Sequence, residues 1–199
     1  MSTAPGWFRL LPARTGSALL LGLAILATWV VVLPAQAARP RDEYEVKAAF
    51  LYGFVHFITW PEAVAARDTI VVGIVGTDPF GSMIDRLFAG KAPAGRPIVI
   101  RRFSSFDAVS HCDILFVGAI GKRPLAGGLK RLRSEPVLTV GEQEDFAAAG
   151  GIIRLKTVGD RVRFDINVAA ADSARLKLSS SLLRVADSVL GQEPAGGTR

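Results

Sequence analysis

The chain has 199 residues, half of them hydrophobic, and 24 basic against 18 acidic residues give it a net charge of +6. Two basic residues and no acidic residue lie among the first 37 positions, so the remaining 162 residues carry a net charge of +4. A chain of this size forms one compact domain rather than two. The charge is mild and mostly scattered, and it gives no sign of a nucleic-acid-binding protein.

The first 37 residues have the pattern of a secretory signal peptide. Arg9 and Arg14 precede the apolar run Ala18–Leu33, and Ala35-Gln36-Ala37 has the small residues of a cleavage site. The run has 16 residues, fewer than the roughly 20 that span a bilayer, although an uncleaved anchor stays open as an alternative. We therefore expect cleavage after Ala37 and a periplasmic protein that is not an integral membrane protein. Export also argues against a nucleic acid partner.

A strongly apolar helix is predicted over Asp42–Ile58. Asp42 and Glu45 resemble a capping box at its start, and Trp60-Pro61 ends it. Between Ala48 and Ile58 only His56 is clearly polar. Such a helix must be covered on most sides by its own domain or by a second molecule.

Two apolar stripes run along this helix at helical spacing. We expect one stripe to face a sheet, and its members are Val46, Phe50, Gly53, Phe54 and Phe57. We expect the other to point outward into a homodimer interface, and its members are Leu51, Val55 and Ile58. The reverse assignment stays open, because the sequence shows two stripes and not their directions.

Strands and helices alternate through the middle of the chain. Predicted strands lie at Thr69–Gly76, Pro97–Phe103, Asp113–Gly118 and Val137–Val140. Predicted helices begin at Asp78-Pro79, which precedes a stop at Gly90, and span Pro124–Arg133 and Glu142–Ala149. This alternation predicts a mainly parallel sheet with helices on both faces.

The pattern changes near the C-terminus. Gly159-Asp160 separates the runs Ile152–Val158 and Arg161–Val168, which predicts a β-hairpin. A last helix is predicted over Ser180–Leu190 with Ser179 or Ser180 as its cap. The expected fold is therefore an α/β three-layer sandwich with an antiparallel C-terminal hairpin. It forms a single domain over residues 42–190, followed by a disordered tail at 191–199.

A search for chemistry finds no catalytic, cofactor-binding or metal-binding residues. Gly76–Gly81 has the spacing of a phosphate loop, but Ser82 replaces the lysine and Asp78 adds negative charge. His56 and His111 are not in a metal-ligand spacing. The acidic residues at Glu142–Asp145 are interpreted as favouring the dipole of a helix start.

Cys112 is the only cysteine and cannot form an internal disulfide. It borders a predicted buried strand, so we expect a quiet buried thiol, with a bridge between two chains as the alternative.

One local cluster of basic residues lies on the helix predicted over Pro124–Arg133 and just before it. Its members are Lys122, Arg123, Lys130, Arg131 and Arg133. We interpret it as a solvated helix face. Attraction to anionic lipid headgroups or to an acidic partner is the alternative.

Seven segments follow one another in an order and spacing that resemble the YfiR-like family of periplasmic proteins. They are EYEVKAAFLYGFVHFITWP, IVVGIVGTDPFG, GRPIVIRRF, HCDILFVG, PVLTV with FAAAGGIIRL, RFDINVAAA, and LKLSSSLLRVA. The resemblance covers Asp42–Leu190. It implies an α/β sandwich that pairs as a dimer and a non-enzymatic periplasmic regulator.

The resemblance also implies a partner, the periplasmic part of an inner-membrane diguanylate cyclase. Repression of that enzyme would keep cyclic di-GMP and biofilm formation low. The namesake of the family has paired cysteines, whereas this chain has only Cys112, so redox control by an internal bridge is not expected here.

Two other functions remain open from the sequence. The first is a periplasmic small-molecule binding protein linked to transport or sensing. Its ligand would lie in the crevice at the carboxyl ends of the strands, lined by Gly76–Phe80 and Gly118–Lys122. The second is an exported hydrolase, although we find no hydrolase motif in the sequence that supports it.

Overall fold

The computed structural model describes residues 40–191, with side chains from residue 43 onward. The predicted signal peptide and residues 192–199 of the predicted tail lie outside this range. The elements from the start to the middle are α1 (Pro40–Phe57), β1 (Ile58–Thr59), α2 (Glu62–Ala65), β2 (Ile70–Val75), α3 (Ser82–Phe88), β3 (Ile98–Phe103), β4 (Ile114–Val117) and α4 (Lys122–Leu132). The remaining elements are β5 (Leu138–Gly141), β6 (Ile153–Val158), β7 (Arg161–Asn167), α5 (Val168–Ser173), β8 (Lys177–Leu178), α6 (Ser180–Val185) and β9 (Ser188–Leu190).

Seven strands form one sheet in the order β3-β2-β4-β5-β6-β7-β9. The pairs from β3 to β6 are parallel, β7 runs antiparallel to β6, and β9 pairs in parallel with β7. Gly159, with a φ of 63°, makes the turn of the β6–β7 hairpin. The predicted mainly parallel sheet with a C-terminal antiparallel hairpin is confirmed.

The sheet separates two hydrophobic clusters, as the alternation of side chains along a strand requires. On β4, Ile114 and Phe116 belong to the cluster under α1 and α3, whereas Leu115 and Val117 belong to the cluster under α4. Continuous apolar strands are therefore covered on both faces. The predicted three-layer α/β sandwich is confirmed.

The structure does not follow the predicted division of α1 into a sheet-facing and an outward stripe, because each stripe contains buried residues. Leu51 is 0% exposed and Ile58 is buried, with Val55 half-buried between them, whereas Phe57 is 42% exposed. Phe54, at 1% exposure, lies on the buried side with Leu51. Both stripes are apolar enough to face a core, so only contact with the sheet decides which one does. Leu51 and Ile58, which were proposed for an interface, are thus core residues, and Val55 is half-buried.

Several predicted helices differ from the observed elements, and the helix expected from Asp78-Pro79 begins only at Ser82. Residues 144–150 form successive turns instead of the predicted helix, and the ring of Phe146 lies beside Gly141 and Gly151, where a Cβ atom would come within 2.4 and 2.2 Å of it. The last helix ends at Val185, and β9 follows instead because its backbone pairs with β7. The first helix begins at Pro40 rather than Asp42, so Asp42 is not its cap.

Several short elements were not predicted. α2, α5, β9 and the two-stranded β1–β8 ladder each have six residues or fewer per segment. At that length hydrophobic periodicity carries little information. Within residues 40–191, no helix is both long and apolar enough to cross a bilayer.

The burial of α1 makes a prediction about stability. Phe54→Ala removes a fully buried ring that packs on Phe164, with centroids 5.5 Å apart, and should lower the free energy of unfolding by roughly 3–5 kcal/mol. The matched control Phe57→Ala truncates a half-exposed ring three residues away and should cost about 1 kcal/mol or less. Urea unfolding followed by circular dichroism measures both values. Equal losses would contradict the observed direction of α1.

Candidate functional site

Loop-to-loop contacts close the carboxyl edge of the sheet. One alternative from the sequence placed a ligand crevice at this edge. A Cβ atom on Gly118 would lie 1.8 Å from the carbonyl oxygen of Thr77. The Thr77 amide donates to the Ala119 carbonyl at 3.2 Å, and the side-chain amide of Gln143 donates to the Gly118 carbonyl at 3.1 Å. The two predicted lining segments, Gly76–Phe80 and Gly118–Lys122, therefore contact each other here.

The phosphate-loop-like turn is occupied by its own carboxylate. Oδ1 of Asp78 accepts hydrogen bonds from the amides of Phe80 and Gly81 at 2.8 and 3.1 Å. Oδ2 of Asp78 accepts from Arg102, which also donates to Asp85, each at 2.7 Å. The hydrogen bond from Arg102 lowers the pKa of Asp85. Amides that a phosphate would need are thus already satisfied, as the negative charge in the sequence predicted.

A surface depression of about 570 Å³ lies beside this edge. It is lined by Tyr44, Glu45, Pro79, Phe80, Gly81, Ser82, Met83 and Arg86. The guanidinium of Arg86, which lines this depression, donates a hydrogen bond to the hydroxyl of Ser82 in the same helix at 2.7 Å. The depression thus offers few polar groups that converge on one point, which is what a specific small-ligand site needs.

Lys47 is a buried lysine that ties α1 to the end of β5. Its ammonium lies 2.5 Å from Glu43 and 2.8 Å from Glu142, and it also lies over the ring of Tyr44. Burial favours the neutral amine, but hydrogen bonds to Glu142 and Glu43 outweigh it and raise the pKa of Lys47. The lysine is therefore a charged structural group. Glu142 pairs with Lys47 and does not lie at the start of a helix, where the sequence analysis placed it.

The Lys47 ion pair should leave a pH signature. Lys47→Met should lower the free energy of unfolding at neutral pH by about 1–3 kcal/mol, because charge-assisted hydrogen bonds are lost. The hydrogen bond from Lys47 is the main cause that lowers the pKa of Glu43, so this contribution is present above the ordinary glutamate pKa and is lost as Glu43 protonates. The raised pKa of Lys47 means that its own contribution is lost only as pH rises through that value.

Unfolding measured from pH 3 upward, a range chosen to span the ordinary glutamate pKa of about 4.3, checks this expectation. The difference between the wild-type protein and Lys47→Met should shrink below that value. Arg184→Met, which removes an exposed cation elsewhere, is the control and should show no such change. A difference that is constant with pH would contradict the role of the ion pair.

Cys112 is buried just before β4. Its thiol donates to the carbonyl of Ile114 at 2.9 Å, and burial raises the pKa of the thiol to about 12. The neighbouring Asp113 is also buried, accepts from the Val71 amide at 2.7 Å, and lies 3.5 Å from Arg67. Burial raises the pKa of Asp113. The predicted buried position of Cys112 is confirmed.

A thiol in this position should react slowly. Labelling of the folded protein with a small maleimide should be at least about two orders of magnitude slower than labelling of the urea-unfolded chain, because the thiolate is scarce and shielded. Stopped aliquots analysed by intact mass give both rates. Rapid labelling of the folded protein, or a disulfide-linked dimer on a non-reducing gel, would contradict the expectation.

The two histidines lie apart from these groups. His56 is exposed on α1 with its ring against Tyr52, and His111 adopts a left-handed φ of 46° in a bend before Cys112. His111 therefore lies outside the strand that follows it. Within residues 40–191, no three His, Cys, Asp or Glu side chains are grouped so that they could hold a metal ion.

The most distinctive surface is an apolar groove between α1, β7 and α6, with a volume of about 310 Å³. We call it the apolar groove, and its lining residues are Val46, Ala49, Phe50, Gly53, Phe54, Phe57, Phe164, Leu182 and Val185. A second depression of about 420 Å³ shares Val46 and Phe50 and extends toward the β6–β7 turn. Together they form one strip along the outer side of α1.

Large apolar side chains remain exposed along this groove. Val46 on α1 is 45% exposed and Val185 on α6 is 67% exposed. Exposed contiguous apolar surface of this kind typically marks a site for another molecule. Val46 and Phe57 of the stripe assigned to the core from the sequence are thus available to a partner, whereas Phe54 is buried.

Gly53 lies at the centre of the groove without any contact in its own chain that requires a glycine. A Cβ atom added there would meet nothing within 4 Å. Glycine inside a helix costs roughly 0.5–1 kcal/mol relative to alanine. The position is therefore suited to close approach by the backbone of a second molecule.

Comparison with known proteins identifies the family. The model of the YfiR/HmsC-like family matches residues 44–187, most of the chain and nearly all of the described part. The chain belongs to this family. The resemblance expected from the seven segments is thereby confirmed. The family is one of periplasmic, regulatory and non-catalytic proteins that act in diguanylate cyclase signalling.

Two solved structures show weaker likeness. One is an ABC domain in complex with L-Trp from Streptococcus pneumonia, with 12% identity, a TM-score of 0.45 and coverage of 61% of this chain and 55% of that chain. The other is a conserved domain protein from Vibrio cholerae o1 biovar eltor, with 12% identity, a TM-score of 0.46 and coverage of 76% and 60%. At these values neither likeness bears on the fold or function of this family member.

Proposed function

We propose that the protein is a periplasmic regulator that binds the periplasmic part of an inner-membrane diguanylate cyclase through the apolar groove and holds the enzyme inactive. The observation that carries the proposal is the exposed apolar stripe on α1 in a member of a regulatory family. Burial of a fully exposed Val or Phe side chain contributes roughly 1.5–3 kcal/mol. The half-exposed side chains of the groove therefore supply a substantial driving force for association.

The geometry of the groove favours a helix as the bound element. Val46, Phe50, Gly53 and Phe57 recur at intervals of three or four residues, so they form one seam along α1, with Ala49 beside it. Val185 on α6 supplies the opposite wall. An apolar helix face laid between the two walls is a common mode of recognition, and Gly53 permits its closest approach at mid-groove.

The mechanism proposed here is contact without chemistry. The buried ionisable groups Lys47, Cys112 and Asp113 are engaged in structural contacts, as described above. A regulator of this kind changes the population of active cyclase by binding one of its conformations more tightly than the other. Cleavage after Ala37 and release into the periplasm remain predictions.

A homodimer also remains a prediction. A second copy of this chain is the competing occupant of the groove, since the same seam on α1 suits an antiparallel or crossed pair of helices. The oligomeric state of the free protein therefore has to be measured together with partner binding.

The test replaces two exposed groove residues by charge. Val46→Glu with Phe57→Glu should leave the fold intact and weaken binding to the purified periplasmic domain of the cyclase more than about 100-fold, because two anions enter an apolar interface. The matched control is Val99→Glu, a valine of similar exposure (38%) on edge strand β3. Calorimetry measures the affinity, and cellular cyclic di-GMP shows whether repression is lost.

Light scattering on the free proteins measures their mass and so distinguishes a second copy of the chain from the cyclase as the occupant of the groove. A wild-type dimer that becomes a monomer only in the groove variant would show that a second copy occupies the groove. Unchanged cyclase binding and unchanged cyclic di-GMP in the groove variant would overturn the proposed site.

A further inference from the structure

We propose that the outer face of α4 docks the protein onto an anionic phospholipid bilayer by electrostatic attraction. This surface lies on the opposite side of the sheet from the apolar groove. Binding to the bilayer would depend on the charges of α4 and their surroundings and not on the apolar groove.

One side of α4 is fully committed to the core. Leu125, Leu129 and Leu132 are buried in the cluster on this face of the sheet, and Gly128 leaves room for the ring of Phe106. A Cβ atom on Gly128 would come within 2.2 Å of that ring. The orientation of α4 is therefore set by packing, which determines the side chains that reach solvent.

The solvent side carries charge of one sign. From Lys122 through Arg133 the sequence has five basic residues and no acidic residue. Each residue turns the helix by 100°, so Arg123 and Lys130, seven positions apart, lie within about 20° of each other at the centre of the exposed side. The other three, Lys122, Arg131 and Arg133, lie around them.

Most of this charge is not neutralised within the domain. Arg131 pairs with Asp107, and the ammonium of the highly exposed Lys122 lies 3.7 Å from Asp145. Among the residues that the structure describes, Arg123, Lys130 and Arg133 have no acidic side chain within ion-pair distance. Three cations at the surface thus remain available to external anions.

The same face has no apolar anchor. The exposed uncharged residues between the cations are Pro124, Ala126 and Gly127, which are small and project little beyond the helix. Protein interfaces are typically enriched in aromatic residues and depleted of lysine at their core, and this surface has the opposite composition. An array of cations separated by small residues fits a layer of phosphate headgroups, which is bound through charge and close approach.

The location of the family favours lipid over nucleic acid as the polyanion. Family members are periplasmic, and the signalling in which they act runs through diguanylate cyclases. The outer leaflet of the inner membrane is an extensive anionic surface in that compartment. Attraction reaches only about 8–10 Å at physiological salt, so α4 must lie against the bilayer to be effective.

The experiment uses the processed protein purified from the periplasm and sedimentation with vesicles. Vesicles of phosphatidylethanolamine with phosphatidylglycerol should bind the protein at low salt, and vesicles of phosphatidylcholine should not. Binding should be lost as salt rises, because the screening length falls to roughly 3 Å at 1 M. No sedimentation with the anionic vesicles, or sedimentation that persists at high salt, would overturn the proposal.

Matched variants locate the binding surface. Replacement of Arg123, Lys130 and Arg133 by Gln should weaken vesicle binding by about fivefold per residue, roughly 100-fold together. The control replaces Arg161, Lys177 and Arg184 by Gln, which removes the same charge from exposed positions elsewhere. An equal loss in the control would overturn the assignment to α4, since binding would then follow net charge alone.

Two further measurements keep the result interpretable. Circular dichroism confirms that each variant is folded. Val46→Glu with Phe57→Glu, which alters the apolar groove, should lose little vesicle binding beyond the effect of its two added negative charges. The control for those charges is Val99→Glu with Val158→Glu, which adds two anions at similarly exposed positions. A larger loss of vesicle binding in the groove variant than in this control would show that the groove rather than α4 contacts the bilayer.

Discussion

The packing of α1 across one face of the sheet is the interaction on which the rest of the structure depends. Leu51 and Phe54 enter the core, and Phe54 meets Phe164 on β7. At the other end Tyr44 packs on Phe80, which packs in turn on Phe116 of β4 with centroids 4.7 Å apart. One helix thus joins the C-terminal hairpin to the centre of the parallel sheet. Because α1 is apolar nearly all round, the same packing leaves the second stripe exposed, and the apolar groove is its direct consequence.

Buried charges hold this arrangement in register. Lys47 ties α1 to the end of β5 through Glu142, and Lys156 joins the buried Asp165 to Asp187 at distances of 2.7 Å. At the opposite edge of the sheet, the buried carboxylate of Asp113 accepts a hydrogen bond from the backbone amide of Val71. Paired buried charges stabilise little on balance, but they penalise alternative packings in which they would be unpaired. The ionisable groups in the interior are therefore engaged in contacts within the domain.

The two sides of the sheet offer different surfaces. The α1 side presents an apolar groove that suits a protein partner, and the α4 side presents cations that suit an anionic layer. Because the sheet separates them, occupation of one surface does not block the other sterically.

The sequence by itself determined the strand–helix alternation, the hairpin at Gly159-Asp160 and the family, because these depend on local periodicity and on the order of motifs. It also determined that α1 carries two apolar stripes. Only the tertiary structure decided which stripe is buried, since Leu51 and Phe57 are equally suited to a core and the sheet accepts one side. The pairing of Lys47 with Glu142 and the strand at Ser188–Leu190 were likewise beyond sequence reasoning. Both are contacts between residues distant in the chain, whose energy exists only once the sheet brings them together.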